Sequence, residues 1–390
     1  MRLQGEPWVL LEDRKGGGAW LFHQLVREEH VAAPEPGALR AALERIDQST
    51  RREGLHAAGW LGYEAGFGLL PKLAALALPP PAVPALWFGL YRRREALAPA
   101  EAEARLRDAA APGGFAVRGL RPNMDAAAYR SALARIQARI AAGDTYQVNY
   151  TLKQTFALDG APAALYLALR ERQATALSAF VQTAGHSVLS LSPELFFRKQ
   201  GGRLTLRPMK GTAPRGATPE EDEAWAARLR LDEKSRAENL MIVDLIRSDV
   251  GRIARIGTVR VPALFEVERY ATLHQMVSVV EAEVDPELSL AVLMASLFPS
   301  GSVTGAPKLR TMELIHQLER EPRGVYTGAI GFVSPDGDAC FNVAIRTIVV
   351  DAGGRGEMGI GSGVVADSDS DAEYRECLLK GEFLAAAARG

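Results

Sequence analysis

Cysteine is nearly absent, with Cys340 and Cys377 the only two in 390 residues. Two cannot build a disulfide framework, and no CxxC spacing offers a zinc site, so the chain suits a reducing compartment. Both read as small buried apolar residues. Net charge is equally scarce: 46 Lys and Arg against 47 Asp and Glu leave −1. No global field then favours nucleic acid or an anionic membrane, and an anionic ligand must be gripped locally. No apolar run approaches the roughly 18 residues of a membrane span, and Met1-Arg2-Leu3-Gln4-Gly5-Glu6 lacks the charged-then-apolar design of a signal. The expectation is a cytoplasmic protein with neither nucleic-acid nor membrane partner. What is plentiful is core material: 47% of residues are hydrophobic, far from the polar composition of disordered chains. At roughly 150 residues per domain the length allows two to three units, or one large domain with extensions.

The first ~120 residues are less regular than the rest. They hold the turn-rich Arg14-Lys15-Gly16-Gly17-Gly18, a Pro run from Pro79 to Pro84 and an Ala/Glu/Arg-rich stretch, and Pro112-Gly113-Gly114 reads as a linker. The expected division is an N-terminal region, 1–120, packed on a catalytic region, 121–390. From Asp125 the pattern sharpens: Tyr129, Leu133, Ile136 and Ile140 recur at helical spacing, Asp125 can cap the start and Gly143 can end it. Alternation follows, with Tyr146, Val148, Tyr150 and Leu152 on one strand face and Gln147, Asn149 and Thr151 on the other. A hairpin is expected over 194–207, turning at Gln200-Gly201-Gly202, after a strand at 187–191. Residues 219–250 read as helix, apolar almost all round at Leu240 to Ile246, which sets Glu238 near the interior. The pattern then predicts one long strand over 267–284, a helix over 289–297, and a second helix opening at Pro307, where the missing N–H costs nothing. Strands at 325–333, 339–351 and 357–366 and a helix from Asp371 complete an α+β protein with large antiparallel sheets.

Three carboxylates stand out for their apolar neighbours: Glu238, Glu373 and Glu376. Glu373, Glu376 and Lys380 fall at i, i+3 and i+7, on one helix face. Buried carboxylates are paired or bind a cation, and hard oxygen ligands suit Mg²⁺; equally, Glu373 and Glu376 read as solvated first-turn acids that complement the helix dipole. Lys210, in Arg207-Pro208-Met209-Lys210-Gly211-Thr212, is either a surface lysine or a nucleophilic amine needing desolvation to shed its proton. Glu194, among apolar neighbours, is either an edge-strand charge or a general acid with a raised pKa. His274 and His316 are single imidazoles with an ordinary structural reading beside any chemical one. Two glycine-rich stretches exclude themselves: Gly359-Ile360-Gly361-Ser362-Gly363 lacks the third glycine and following helix of a dinucleotide turn, and Gly301 to Lys308 carries Ala306-Pro307 where a P-loop needs Gly-Lys. Both can still offer backbone N–H groups to a carboxylate.

Seven segments in order, spanning about 125–385, resemble the chorismate-utilising enzymes: anthranilate synthase component I, aminodeoxychorismate synthase component I, isochorismate synthase and salicylate synthase. They are Gly143 to Asn149, Ser192-Pro193-Glu194-Leu195, Ala237 to Leu245, Gly305-Ala306-Pro307-Lys308, Tyr326 to Gly331, Ala344-Ile345-Arg346-Thr347, and Gly361 through Lys380. The resemblance implies a four-layered α/β/β/α core of two large antiparallel sheets with Mg²⁺ and chorismate bound between them. It implies Glu238 and Glu376 as Mg²⁺ ligands with Glu373 reached through water. Tyr326, Arg346, Lys380 and the backbone of Gly361, Ser362 and Gly363 become the grip on the substrate carboxylates. Glu194 becomes the acid that protonates the departing 4-hydroxyl, and His274 an active-site histidine. Gln147 stands where isochorismate and salicylate synthases have a lysine base, which disfavours attack of water at C2. Met209-Lys210-Gly211-Thr212 is similar to the aminodeoxychorismate synthase signature, whereas anthranilate synthases have Ala where this chain has Lys210. The implied reaction is attack of the Lys210 amine at C2, then of ammonia at C4, giving 4-amino-4-deoxychorismate for the para-aminobenzoate branch of folate synthesis. With no Cys/His glutaminase constellation, ammonia is expected from a separate glutamine amidotransferase subunit, and a further protein is expected to release para-aminobenzoate. Anthranilate synthase component I and a silent chorismate-binding subunit are the alternatives. Leu10-Leu11-Glu12-Asp13 resembles the segment that binds tryptophan in anthranilate synthases and reads equally as a first strand.

Overall fold

The computed structural model describes residues 5–388 except 15, 77–80, 111–112, 174 and 271–272; Pro79, Pro80 and Pro112 of the expected breaks lie outside the described residues. In chain order the strands are β1 (Trp8–Asp13), β2 (Gly18–Val31), β3 (His56–Leu61), β4 (Leu86–Leu97), β5 (Phe115–Pro122), β6 (Gln147–Gly160), β7 (Leu177–Gln182), β8 (His186–Ser192), β9 (Leu195–Gln200), β10 (Arg203–Arg207), β11 (Met209–Pro214), β12 (Arg260–Arg269), β13 (Leu273–Glu283), β14 (Gly305–Ala306), β15 (Ala329–Val333), β16 (Ala339–Val343), β17 (Thr347–Asp351) and β18 (Arg355–Val364). The helices are α1 (Pro36–Glu53), α2 (Ala65–Leu69), α3 (Pro99–Ala110), α4 (Ala126–Ala141), α5 (Pro162–Arg172), α6 (Pro219–Leu231), α7 (Glu233–Gly251), α8 (Leu290–Leu297), α9 (Lys308–Leu318) and α10 (Ser370–Ala388).

The strands pair antiparallel in two runs. One runs β5–β6–β18–β17–β8–β7–β1, the other β4–β3–β15–β16–β9–β10–β13–β12. Strand β2 pairs with both β1 and β4 and joins them. Side chains alternate across each strand with period two, and they sort accordingly. Trp8 and Leu10 of β1 join a core beneath α3, α4, α5, α9 and α10. Val9 and Leu11 meet Ala58 and Trp60 of β3 and Ile330 and Phe332 of β15 in a core between the runs. Ala57 and Leu61 of β3 pack instead with α1, α7 and α8 in a third core. Three cores between four layers make the α/β/β/α sandwich, an α+β fold of large antiparallel sheets.

Local signals explain where the elements begin. Asp125 accepts the Ala128 N–H as cap of α4, and Ser289 does the same for Val292 in α8. Five expectations are corrected. The helix over 219–250 breaks at Asp232, whose carboxylate caps α7 through the Ser235 N–H. Within α7 only Asn239, Ile242, Val243, Ile246, Asp249 and Val250 are buried, and Leu240 is exposed. The single strand over 267–284 is the hairpin β12–β13, and 339–351 is broken at Ala344 to Arg346, with Arg346 at φ 50°. Tyr146 is 70% exposed and precedes β6, so the apolar face starts at Val148. Of the cysteines, Cys377 is buried and Cys340 half-buried.

Candidate functional site

A cavity of about 350 Å³ is lined by β6 and β18 from one run, β11 and β13 from the other, the loops carrying Glu194, Tyr326 and Arg346, and helices α7 and α10. Ten of the sequence candidates line it: Lys210, Glu194, Glu238, Glu373, Glu376, Lys380, Tyr326, Arg346, Gly361 and Gly363.

Lys210 lies where the β11–β13 register shifts between Met209 and Thr212. Such irregularities re-aim a side chain out of the alternating pattern. Gln275 Nε2 donates to the Gly211 carbonyl at 2.8 Å and fixes the irregular stretch of β11 beside the lysine. Burial pushes the Lys210 amine below its usual value and Lys380 adds to this, while Glu238, Glu194 and Glu376 oppose it. Glu194 follows Pro193 in the turn between β8 and β9; its N–H donates to Ser192 Oγ at 3.1 Å and its carbonyl accepts the Val343 N–H at 3.0 Å. Its side chain is only 4% exposed. Burial raises its pKa to about 7, against the pull of the Ser302 hydroxyl and the Lys210 charge. A weakened lysine cation and a proton-holding carboxyl group thus face the same space.

The carboxylates arrive from two helices. Burial raises the Glu238 pKa and Glu373 and Glu376 add to the rise, opposed by Lys210 and Lys234. Ser368 Oγ donates to Glu373 at 2.8 Å. Lys380 Nζ lies 2.7 Å from Glu376 and donates to the Gly361 carbonyl at 2.9 Å. Mutual repulsion of three carboxylates at one cavity is relieved by a cation, and an all-oxygen set suits Mg²⁺. Among the described residues no three acid, His or Cys side chains close into a metal cage.

Tyr326 stands before Thr327, at φ 60°, and its ring packs so closely on Gly359 that a Cβ there would overlap it. Arg346 Nη1 donates to Gln173 Oε1 at 3.0 Å, and burial lowers its pKa. Gly363 sits against Gln147, where a Cβ would overlap the amide and lie 3.4 Å from Lys210 Nζ. Gln147 is fully buried behind that glycine with its Oε1 unpartnered. Two candidates point elsewhere. Ser362 is buried with Oγ 2.9 Å from the Tyr129 hydroxyl, leaving only its backbone near the cavity. His274 does not line the cavity: its Nε2 lies 2.9 Å from Asp222 Oδ1 on α6. On β13 the even positions turn to the helices, His274 to Asp222 and Ser278 Oγ to Asn239 Oδ1 at 2.6 Å. Gln275 takes the other face and lines the cavity. The sequence reading missed Gln275, together with Asn149 and Ser302. The signal for Gln275 was the strand's period of two, hidden because the turn before β13 was not recognised.

A model of the chorismate binding enzyme family matches residues 9–386. An aminodeoxychorismate synthase of Streptomyces griseus is 47% identical over 245 residues, 63% of this chain and 34% of that protein. Aminodeoxychorismate synthase component 1 of Bacillus subtilis is 42% identical over 252 residues, 65% of this chain and 53% of that protein. The chain therefore spans between a third and about half of the length of these relatives. Among solved structures, anthranilate synthase component I from Streptococcus pneumoniae superimposes with a TM-score of 0.82 at 25% identity, covering 94% of this chain and 92% of the other.

Proposed function

This chain belongs to the chorismate binding enzymes, and from that premise we propose that it acts as component I of an aminodeoxychorismate synthase, turning chorismate and ammonia into 4-amino-4-deoxychorismate. The observation that carries the reading is Lys210 in one cavity with the buried acid Glu194. The lowered Lys210 pKa favours the free amine needed for nucleophilic attack. In the first step Lys210 Nζ bonds to C2, the ring double bonds shift, and the 4-hydroxyl leaves with the proton of Glu194. In the second, ammonia bonds to C4, the double bonds return and the Lys210 amine is expelled. Glu194, now a carboxylate, takes up the surplus proton. An acid that keeps its proton to about pH 7 suits the first role.

Tyr326, Arg346 and the Gly361 to Gly363 backbone would hold the substrate carboxylates. Lys380 would join them on release from Glu376. Mg²⁺ would be held by Glu238 and Glu376, with Glu373 through water, and supplies charge neutralisation for a carboxylate substrate. Glu238, whose carboxylate has no hydrogen bond among the described residues, is the ligand least committed elsewhere. The designation component 1 of the Bacillus subtilis relative supports a separate partner. We take that partner to be a glutamine amidotransferase that delivers ammonia in the cytoplasm.

The shared fold with an anthranilate synthase component I favours one rival, release of anthranilate from the same pocket. The test is product identification after incubation with chorismate, ammonium and Mg²⁺, with an intact-mass scan. Aminodeoxychorismate with an adduct mapped to Lys210, absent from Lys210→Ala, supports the reading. Anthranilate from the parent chain would overturn it, and no product would favour a silent binding subunit.

A further inference from the structure

Behind the cavity lies a guanidinium that neither the motifs nor the proposed chemistry uses. Arg323, in the connection from α9 to β15, is 3% exposed. All of its side-chain donors are spent. Nε and Nη2 fork onto Glu319 at 2.8 and 2.7 Å. Nη2 also reaches the Asn149 carbonyl at 2.6 Å, and Nη1 reaches the Val303 carbonyl at 2.8 Å and Thr327 Oγ1 at 3.3 Å. The Tyr63 ring covers the guanidinium face at 4.2 Å. The Arg323 N–H is itself held by Glu64 at 2.6 Å.

The three segments tied together are distant in sequence, and each supplies wall to the cavity: Asn149, Val303 and Tyr326. The third carries the strained link. Thr327 is a β-branched residue at φ 60°, a conformation kept only where surroundings over-determine it. Its hydroxyl donates to the Tyr326 carbonyl at 2.6 Å while accepting from Arg323. Glu319 extends the tie, because its Oε1 also accepts the Thr151 N–H at 2.9 Å, and Thr151 is the strand partner of Gly361.

We propose that Arg323 is a positioning residue that holds the Asn149, Val303 and Tyr326 walls in fixed register, so that the grip on the substrate is formed before the substrate arrives. That this register serves chorismate rests on the proposed function; the register itself does not.

Two measurements on Arg323→Ala and Arg323→Lys separate those claims. In the ligand-free chain, amide hydrogen exchange should rise together over 149–151, 303–304 and 326–328 in the Ala variant, and added guanidinium ion should lower it again. In turnover with ammonium and Mg²⁺, KM for chorismate should rise roughly ten- to a hundredfold, with kcat changed less. Guanidinium should restore it in the Ala variant only, since a lysine ammonium fills the site yet cannot fork onto Glu319 while reaching both carbonyls. Exchange confined to 319–324, KM within about twofold of the parent, or a loss in the Ala variant that guanidinium does not reverse would each overturn the inference. Should Arg323→Ala fail to fold, Arg323→Lys decides by the same exchange and KM criteria. If the parent chain consumes no chorismate, the functional reading falls and the exchange pattern alone decides whether Arg323 sets the register.

Discussion

Glu194 concentrates the tension between stability and chemistry in one side chain. Folded, it keeps its proton to about pH 7; in an unfolded chain a glutamate releases it near ~4.3. A raised carboxyl pKa contributes stability that is complete below the unfolded value and lost as pH rises through the folded one. Glu194→Gln, uncharged and of the same shape, should therefore match the parent at about pH 4 and exceed it above about pH 7.5, by at most about 4 kcal/mol. Urea unfolding at both pH values checks this, and equal stabilities at the higher pH would show that Glu194 is not burdened by its charge. Activity should run the opposite way. The parent kcat should decline as pH rises through about 7, where the acid form disappears, while the Gln variant should be flat and about a hundredfold slower or worse. A parental rate in the Gln variant would remove Glu194 from the chemistry. Lys210 predicts the complementary limb, a rate that climbs as the amine loses its proton, because burial lowers its pKa.

Strand β13 shows what periodicity decides. His274 and Gln275 are neighbours on one strand, yet one bonds Asp222 on α6 and the other lines the cavity and holds the Gly211 carbonyl. His274→Ala should cost about 1–3 kcal/mol in urea unfolding by removing a buried ring and its hydrogen bond to the Asp222 carboxylate, with kcat and KM near the parent. Gln275→Ala should leave stability almost unchanged and reduce kcat/KM about tenfold by loosening the stretch of β11 that carries Lys210. The reverse pattern would return the histidine to the site. Elements with a chemical start signal were legible in the sequence: Asp125 before α4, Ser289 before α8, and the Gly201-Gly202 hairpin between β9 and β10. The β12–β13 hairpin was not, because the sequence from Val267 to Gln275 offers no Gly, Pro, Asn or Asp to mark a turn. Nor was the break at Arg346, a non-glycine residue held at φ 50° by its surroundings. Spacing alone placed only Glu373, Glu376 and Lys380 on a common face. The other cavity residues come from helix α7 and from strands and loops brought together by long-range packing and pairing, which no local pattern encodes, so their gathering was legible only through family resemblance.

At the scale of the whole molecule, the strands before residue 121 stand inside the sandwich. Strand β3 pairs with the whole of β15, Ala57 to Leu61 against Val333 to Ala329, and β1 pairs with β7 from Trp8 to Asp13. The core between the two runs draws Phe22, Trp60, Trp87 and Tyr91 from this region. Remove it and β7 and β15 each lose a paired neighbour, while Ile330, Phe332, Val181 and Val349 lose the side chains that cover them. Unpaired edges beside exposed apolar faces favour aggregation over folding. Every residue we assign to the cavity lies after residue 121, so local chemistry would remain encoded in the shortened chain. Its framework would not, since Tyr326 leads directly into β15 and Glu64 holds the Arg323 and Gly324 N–H groups from the missing part. A chain of residues 121–390 should therefore lack a cooperative urea transition by circular dichroism and should bind no chorismate in calorimetry. Adding residues 1–120 as a separate polypeptide during refolding should restore both, because the missing strands are then supplied without the covalent link. A soluble 121–390 fragment that unfolds cooperatively and binds chorismate unaided would show that the second run closes without β3, and that the N-terminal strands are a covering layer rather than part of the frame that sets the site.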